Sequence, residues 1–205
     1  MRWLNYSHLT SPIAYRTVDT QILLHAVDAT SRGASGISVH SPDTGVLAIA
    51  VRRYPLLCPS ITFGTGQKRR SIPLNPIYDA LSPMNAVALP GFHAISGCDN
   101  TGSLSGKAKA TFWKAFKHAS DNSLQALGAL GSREVELPSF ETCDAIEKFI
   151  CGVCQPKADV SKLSKLRWRM FCMKQANSYK LPPTRAAKRS IHSACLPPGN
   201  LEQRH

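Results

Sequence analysis

No stretch of about 18 apolar residues occurs in this chain, so no segment reads as a helix that crosses a bilayer. The opening MRWLNYSHLTSP lacks the apolar core of a secretory signal, and the expectation is an intracellular protein. Acidic residues are scarce, 13 Asp+Glu against 25 Lys+Arg, which excludes an acidic surface as the dominant field. Internal repeats and long low-complexity tracts are absent. The seven cysteines are odd in number and scattered, which argues against a disulfide framework. Cys151 and Cys154 form a lone C-x-x-C with Cys143 upstream, and no second pair stands where a four-ligand zinc site needs it. Zinc is therefore not expected, and buried thiols on an apolar helix are.

What is present is a 205-residue chain, 43% hydrophobic and 19% charged, enough for one domain with a real core. Its net charge of +12 suits a polyanionic partner such as nucleic acid or an anionic membrane surface. The excess is uneven. From Gln155 onward there are eleven Lys/Arg against two Asp/Glu, a net +9, and before it fourteen against eleven, a net +3.

Apolar spacing predicts a helix over residues 18–29, with Asp19 in its first turn, Thr17 as a possible cap and Gly33 beyond its end. A short strand, GISVH at residues 36–40, stops at Ser41-Pro42, and a second helix resumes after Asp43. Residues 60–64 and 69–74 read as a strand pair, followed by Asn75 as cap and Pro76 as first position of a helix through Leu81. Beyond Pro83 the pattern is helical over residues 84–96, 107–119, 123–130, 140–154 and 160–175, with a last short helix after Pro182-Pro183. The order is that of an α/β core over residues 15–83, a helical pair over 84–120 and a basic helical region over 121–205, within a single domain or fragment.

Three places in this order carry chemistry. Asp19, Asp43 and Asp99 each lie where local structure changes, and carboxylates converging beyond a strand's carboxyl end bind Mg²⁺ or Mn²⁺. The alternative is that Asp19 and Asp43 serve only their helix starts. The glycine-rich link GCDNTGSLSG, followed by Lys107 and Lys109, presents N–H and ammonium groups to an anion, or else is a plain helical hairpin with solvated lysines. In KLSKLRWRMFCMKQ, Trp168 and Phe171 interleave with Lys162, Lys165, Arg167, Arg169 and Lys174. The pattern favours both aromatics as the buried stripe of an amphipathic helix, against an exposed surface on which bases stack.

Five segments in this order, TVDTQILLHA, SPDTGVLAIAV, FGTGQKRRSIPL, LPGFHAISGCDNTGSLSGKAK and LPPTRAA, resemble a group of mobile-element-associated animal proteins. That group is in turn similar to PIN-like nucleases of the flap endonuclease type. The resemblance implies a PIN-like α/β core with a helix-hairpin-helix region and C-terminal helices, its N-terminal strand missing. It implies metal-binding and catalytic roles for Asp19, Asp43 and Asp99, and DNA-backbone contacts for Gly106, Lys107 and Lys109. Thr17 and Gly45 stand where the family carries acids, and Ala108 replaces the second glycine of its G-K-G-K. Three carboxylates offer too little charge for two dications, and a weak single Mg²⁺ or Mn²⁺ site is the most they would hold. The expectation is a degenerate nuclease domain that binds nucleic acid, DNA rather than RNA, by its phosphates and resides in the nucleus. The alternatives are an active metal-dependent endonuclease and a transposon-derived fragment without function.

Overall fold

In a computed structural model of the chain the described residues are 18–65, 70–97, 107–130, 139–156, 159–173 and 181–182. The first helix, α1 (Val18–Ser31), ends where Gly33 takes a φ of +86°, a left-handed turn open to a residue without Cβ. The Ala34 N–H then returns to the Ala29 carbonyl and that of Gly33 to Thr30, which satisfies two carbonyls of the last turn.

The period changes to two in β1 (Gly36–His40), where Val39 is buried while Ser38 and His40 are exposed. Helix α2 (Thr44–Arg53) and a 3-10 turn at Tyr54–Leu56 carry the chain back to β2 (Ser60–Thr65), parallel to β1. Strand β3 (Arg70–Pro73) pairs antiparallel with β2, giving a three-stranded mixed sheet in the order β1-β2-β3. Val39, Ile61 and Phe63 join Leu23 and Ala26 of α1 and Val46, Ala50 and Val51 of α2 in one buried cluster. The other face is polar. There Thr62 donates to the Ser38 hydroxyl at 3.3 Å, and that hydroxyl lies 3.0 Å from His40 Nε2. The His40 ring sits over Gly64, where a Cβ would come within 2.2 Å of Nδ1.

The remaining elements are α3 (Asn75–Asp79), α4 (Pro83–Ile95), α5 (Lys109–Lys117), α6 (Asp121–Leu130), α7 (Phe140–Cys154) and α8 (Leu163–Cys172). The fold is thus α/β and mostly helical. A second buried cluster gathers Phe92, Phe112, Phe116, Leu127, Ile150, Val153, Leu163 and Leu166 from α4 to α8. Helix α4 serves both clusters, Ala86 lying in the first and Ala88 in the second. The Arg52 guanidinium also ties α2 to α6 by donating to the Gly128 carbonyl at 3.1 Å.

Several helix starts differ from the sequence reading, α6 beginning at Asp121 and α8 at Leu163 instead of residues 123 and 160. Asn75 is the first helical residue of α3, and the cap position belongs to Leu74, which is fully buried and makes no side-chain cap. Its anchoring in the core sets where the helix begins. Helix α5 starts at Lys109, two residues later than the spacing suggests: Ala108 is its extended cap residue, and the Lys107 side chain before it reaches the end of α7. The short helix expected after Pro182-Pro183 lies outside the described residues.

Candidate functional site

Asp43 follows the carboxyl end of β1 and is the N-cap of α2, with extended backbone (φ −85°, ψ 122°). Its Oδ1 accepts the Gly45 N–H at 2.6 Å, and its own N–H donates to the Ser41 hydroxyl at 3.1 Å. Charge-assisted bonds of this kind satisfy a donor that a helix start otherwise leaves open. The carboxylate is thus engaged with the helix. Gly45 is what lets it approach so closely, since a Cβ there would lie 3.1 Å from Oδ1. Asp19 belongs to the first turn of α1, with its side chain outside the described residues, as are Asp99 and Gly106 altogether. Among the described residues no group of three His, Cys, Asp or Glu side chains is placed to hold a metal ion.

The two lysines of the expected phosphate cradle hold main-chain carbonyls. Lys107 Nζ donates to the Cys154 carbonyl at 3.0 Å, at the negative end of α7. Lys109 Nζ donates to the Gly97 carbonyl at 3.1 Å and lies 3.3 Å from His93 Nδ1. Gly97 has a φ of +102°, so the end of α4 turns through a left-handed residue toward the start of α5. Lys109 thus ties the start of α5 to the end of α4 and stays exposed, while Lys107 is tied to the end of α7. Cys151 and Cys154 are buried in the helical cluster as free thiols. Burial pushes the Cys154 thiol pKa up, with Lys107 pulling partly in the opposite direction.

Helix α8 overturns one expectation. Trp168 and Phe171 are not its buried stripe; they are 68% and 63% exposed, and Leu163, Leu166 and Met170 take the core positions. At about 100° per residue, positions 163, 166 and 170 fall on one face and 168 and 171 on another. The two aromatic rings lie with centroids 6.3 Å apart and planes inclined by 29°, on a helix that also carries Lys165, Arg167 and Arg169. The Arg167 guanidinium donates to the Pro182 carbonyl, and Lys162 pairs with Asp144 at 2.7 Å.

Glu147 is a residue that spacing did not single out. It lies on α7 and is 3% exposed, and its Oε1 accepts the Leu163 N–H at 2.6 Å, an end donor of α8. Lys162 precedes that helix without a side-chain cap of its own. The signal in the sequence was there to read: Cys143, Glu147, Ile150 and Cys154 repeat at helical spacing, and a carboxylate in such a stripe needs a buried partner. Glu147, Lys162, Ser164, Arg167, Trp168, Phe171 and Leu181 line a cleft of about 400 Å³.

Compared with protein-family models, with curated proteins and with solved structures, the chain matches none. No helix among the described residues is long and apolar enough to cross a membrane.

Proposed function

We propose that this chain is a degenerate PIN-like nuclease domain that binds nucleic acid through its phosphates and has lost catalysis. The observation that carries the reading is α8, which exposes Trp168 and Phe171 and carries Lys165, Arg167 and Arg169 on the same helix. Two aromatic rings cost free energy in water unless something covers them, and basic side chains beside them suit a ligand that joins π-faces to phosphates. The overall +12 charge supplies long-range attraction for the same ligand. Thr17 and Gly45 stand in place of acids, and the Asp43 carboxylate is held by the helix it caps, which supports the loss of chemistry.

The test is a titration of labelled single-stranded and branched DNA with the full chain across a salt series. Log affinity is expected to fall linearly with log salt, and each phosphate contact removed lowers the slope by about 0.7 to 0.9. Lys165→Glu combined with Arg169→Glu should weaken binding on all sequences alike. No binding of DNA or RNA at low salt would overturn the proposal. Branched DNA should survive incubation with Mg²⁺ or Mn²⁺, and cleavage abolished by Asp43→Asn would restore the enzyme reading instead.

A further inference from the structure

The cleft between α7 and α8 joins Glu147, which the phosphate-binding reading does not use, to the aromatic and basic side chains of α8. Its wall includes Glu147, and while Oε1 accepts from Leu163, Oε2 is fully buried with no hydrogen-bond partner among the described residues. A buried carboxylate oxygen without a partner is costly, and such a group marks a place where a donor from outside belongs. Trp168 and Phe171 line the same cleft and expose most of their surface. Lys162 and Arg167 contribute positive charge at its wall, although Lys162 is paired with Asp144 and Arg167 with the Pro182 carbonyl. At about 400 Å³ the cleft falls within the range of roughly 300 to 1,000 Å³ typical of small-ligand sites.

We infer that this cleft opens enough to expose Glu147 Oε2 and receives one unpaired guanine base of a nucleic-acid strand, read by the Glu147 carboxylate and stacked on Trp168 and Phe171. Of the common bases, guanine presents two adjacent N–H donors, N1 and N2, on its Watson–Crick edge. A carboxylate has about four lone-pair positions, so Oε2 and the second lone pair of Oε1 remain for these two donors while Leu163 keeps its own. Adenine, cytosine and thymine offer no such pair of adjacent ring and amino donors and so cannot engage both oxygens of the carboxylate at once. Stacking on the aromatic rings is indifferent to the base, so the carboxylate supplies the preference and the rings supply the hold. The basic side chains of α8 then face the phosphates on either side of the inserted nucleotide. A protonated basic side chain from a protein would satisfy the carboxylate as well, but the surrounding positive charge disfavours it.

This inference rests on the nucleic-acid reading, and the experiment separates the two. Short single strands of uniform thymine carry at their centre guanine, inosine, which lacks the N2 amino group, 7-deazaguanine, which lacks N7, or an abasic site. Binding to the full chain is followed by fluorescence anisotropy at low salt. Guanine and 7-deazaguanine should bind alike and about tenfold tighter than inosine, with the abasic strand weakest. Glu147→Gln, which retains an acceptor for the Leu163 N–H, should erase the difference between guanine and inosine. Trp168→Ala, at an exposed position, should bring guanine down to the abasic level while leaving the salt slope intact. If all four strands bind equally, the cleft takes no base and only the inference fails; if none binds, the nucleic-acid reading fails with it. Competition by arginine amide but not by guanosine monophosphate would place a basic side chain in the cleft and overturn the inference.

Discussion

Gly91 of α4 lies so close to α6 that a Cβ on it would come within 2.0 Å of the Leu127 carbonyl oxygen. The neighbour is backbone, which cannot rotate aside, and one residue further on a Cβ on Gly128 would lie 3.1 Å from Val87 Cγ1 of α4. These two glycines set the separation of the helix pair that links the α/β cluster to the helical one.

Gly91→Ala should therefore destabilise the chain by about 2 kcal/mol or more, because overpacking outweighs the roughly 1 kcal/mol by which alanine favours a helix. Gly152→Ala is the matched control. Gly152 lies in α7 with nothing within 4 Å of the added carbon, and the change should stabilise by about 0.5 to 1 kcal/mol. Urea denaturation of both variants measures the contrast, and equal effects would mean that α4 and α6 do not touch at Gly91.

Asp43 is expected to behave as a helix cap. Asp43→Ala should cost about 1 kcal/mol, while Asp43→Asn, which keeps an oxygen for the Gly45 N–H, should cost a few tenths. Thermal melts at equal salt decide this. An asparagine variant as unstable as the alanine one would show that the charge, and not the cap, is what the site requires.

The thiols should divide by burial. Cys172 is exposed and Cys154 buried, so iodoacetamide should label Cys172 quickly in the native chain and Cys154 only at the rate of opening. The raised pKa of Cys154 has a pH consequence. The folded state holds the thiol proton above the ordinary value of 9.0 at which the unfolded chain releases it. Stability is thus full below about pH 9 and declines as the pH climbs from there through the higher folded value. A Cys154→Ser variant whose stability falls with the same slope over this window would remove Cys154 as the cause.

Glu147 joins α7 to α8. Glu147→Ala should destabilise by about 1 to 3 kcal/mol, since the Leu163 N–H loses a charged acceptor in the interior. Glu147→Gln should retain most of that. Hydrogen exchange of the Leu163 amide reports the bond directly, with faster exchange expected in the alanine variant alone.

Much of the architecture was legible in the chain because it follows local rules. The limits of β1 at residues 36–40 and of α7 at residues 140–154 agree with the spacing of their apolar residues, and Gly33 closes α1 where the sequence places it. Helix α8 shows where local rules stop. Its aromatics look like core residues by type, but the core is reached only from the face that carries Leu163, Leu166 and Met170. Which face of an amphipathic segment turns inward depends on the partner surface, here that of α7.

The candidate site divides the same way. The sequence by itself determined the strong positive charge, its concentration beyond Gln155, the absence of acids at Thr17 and Gly45, and the placing of Asp43 at a helix start. Those are properties of composition and of neighbours along the chain. Only the tertiary structure decided that Lys107 reaches the Cys154 carbonyl, that Glu147 meets Leu163, and that Trp168 and Phe171 line one cleft with that carboxylate. Each of these joins residues from separate elements, and the packing of α7 against its neighbours, which no local spacing encodes, brings them within bonding distance.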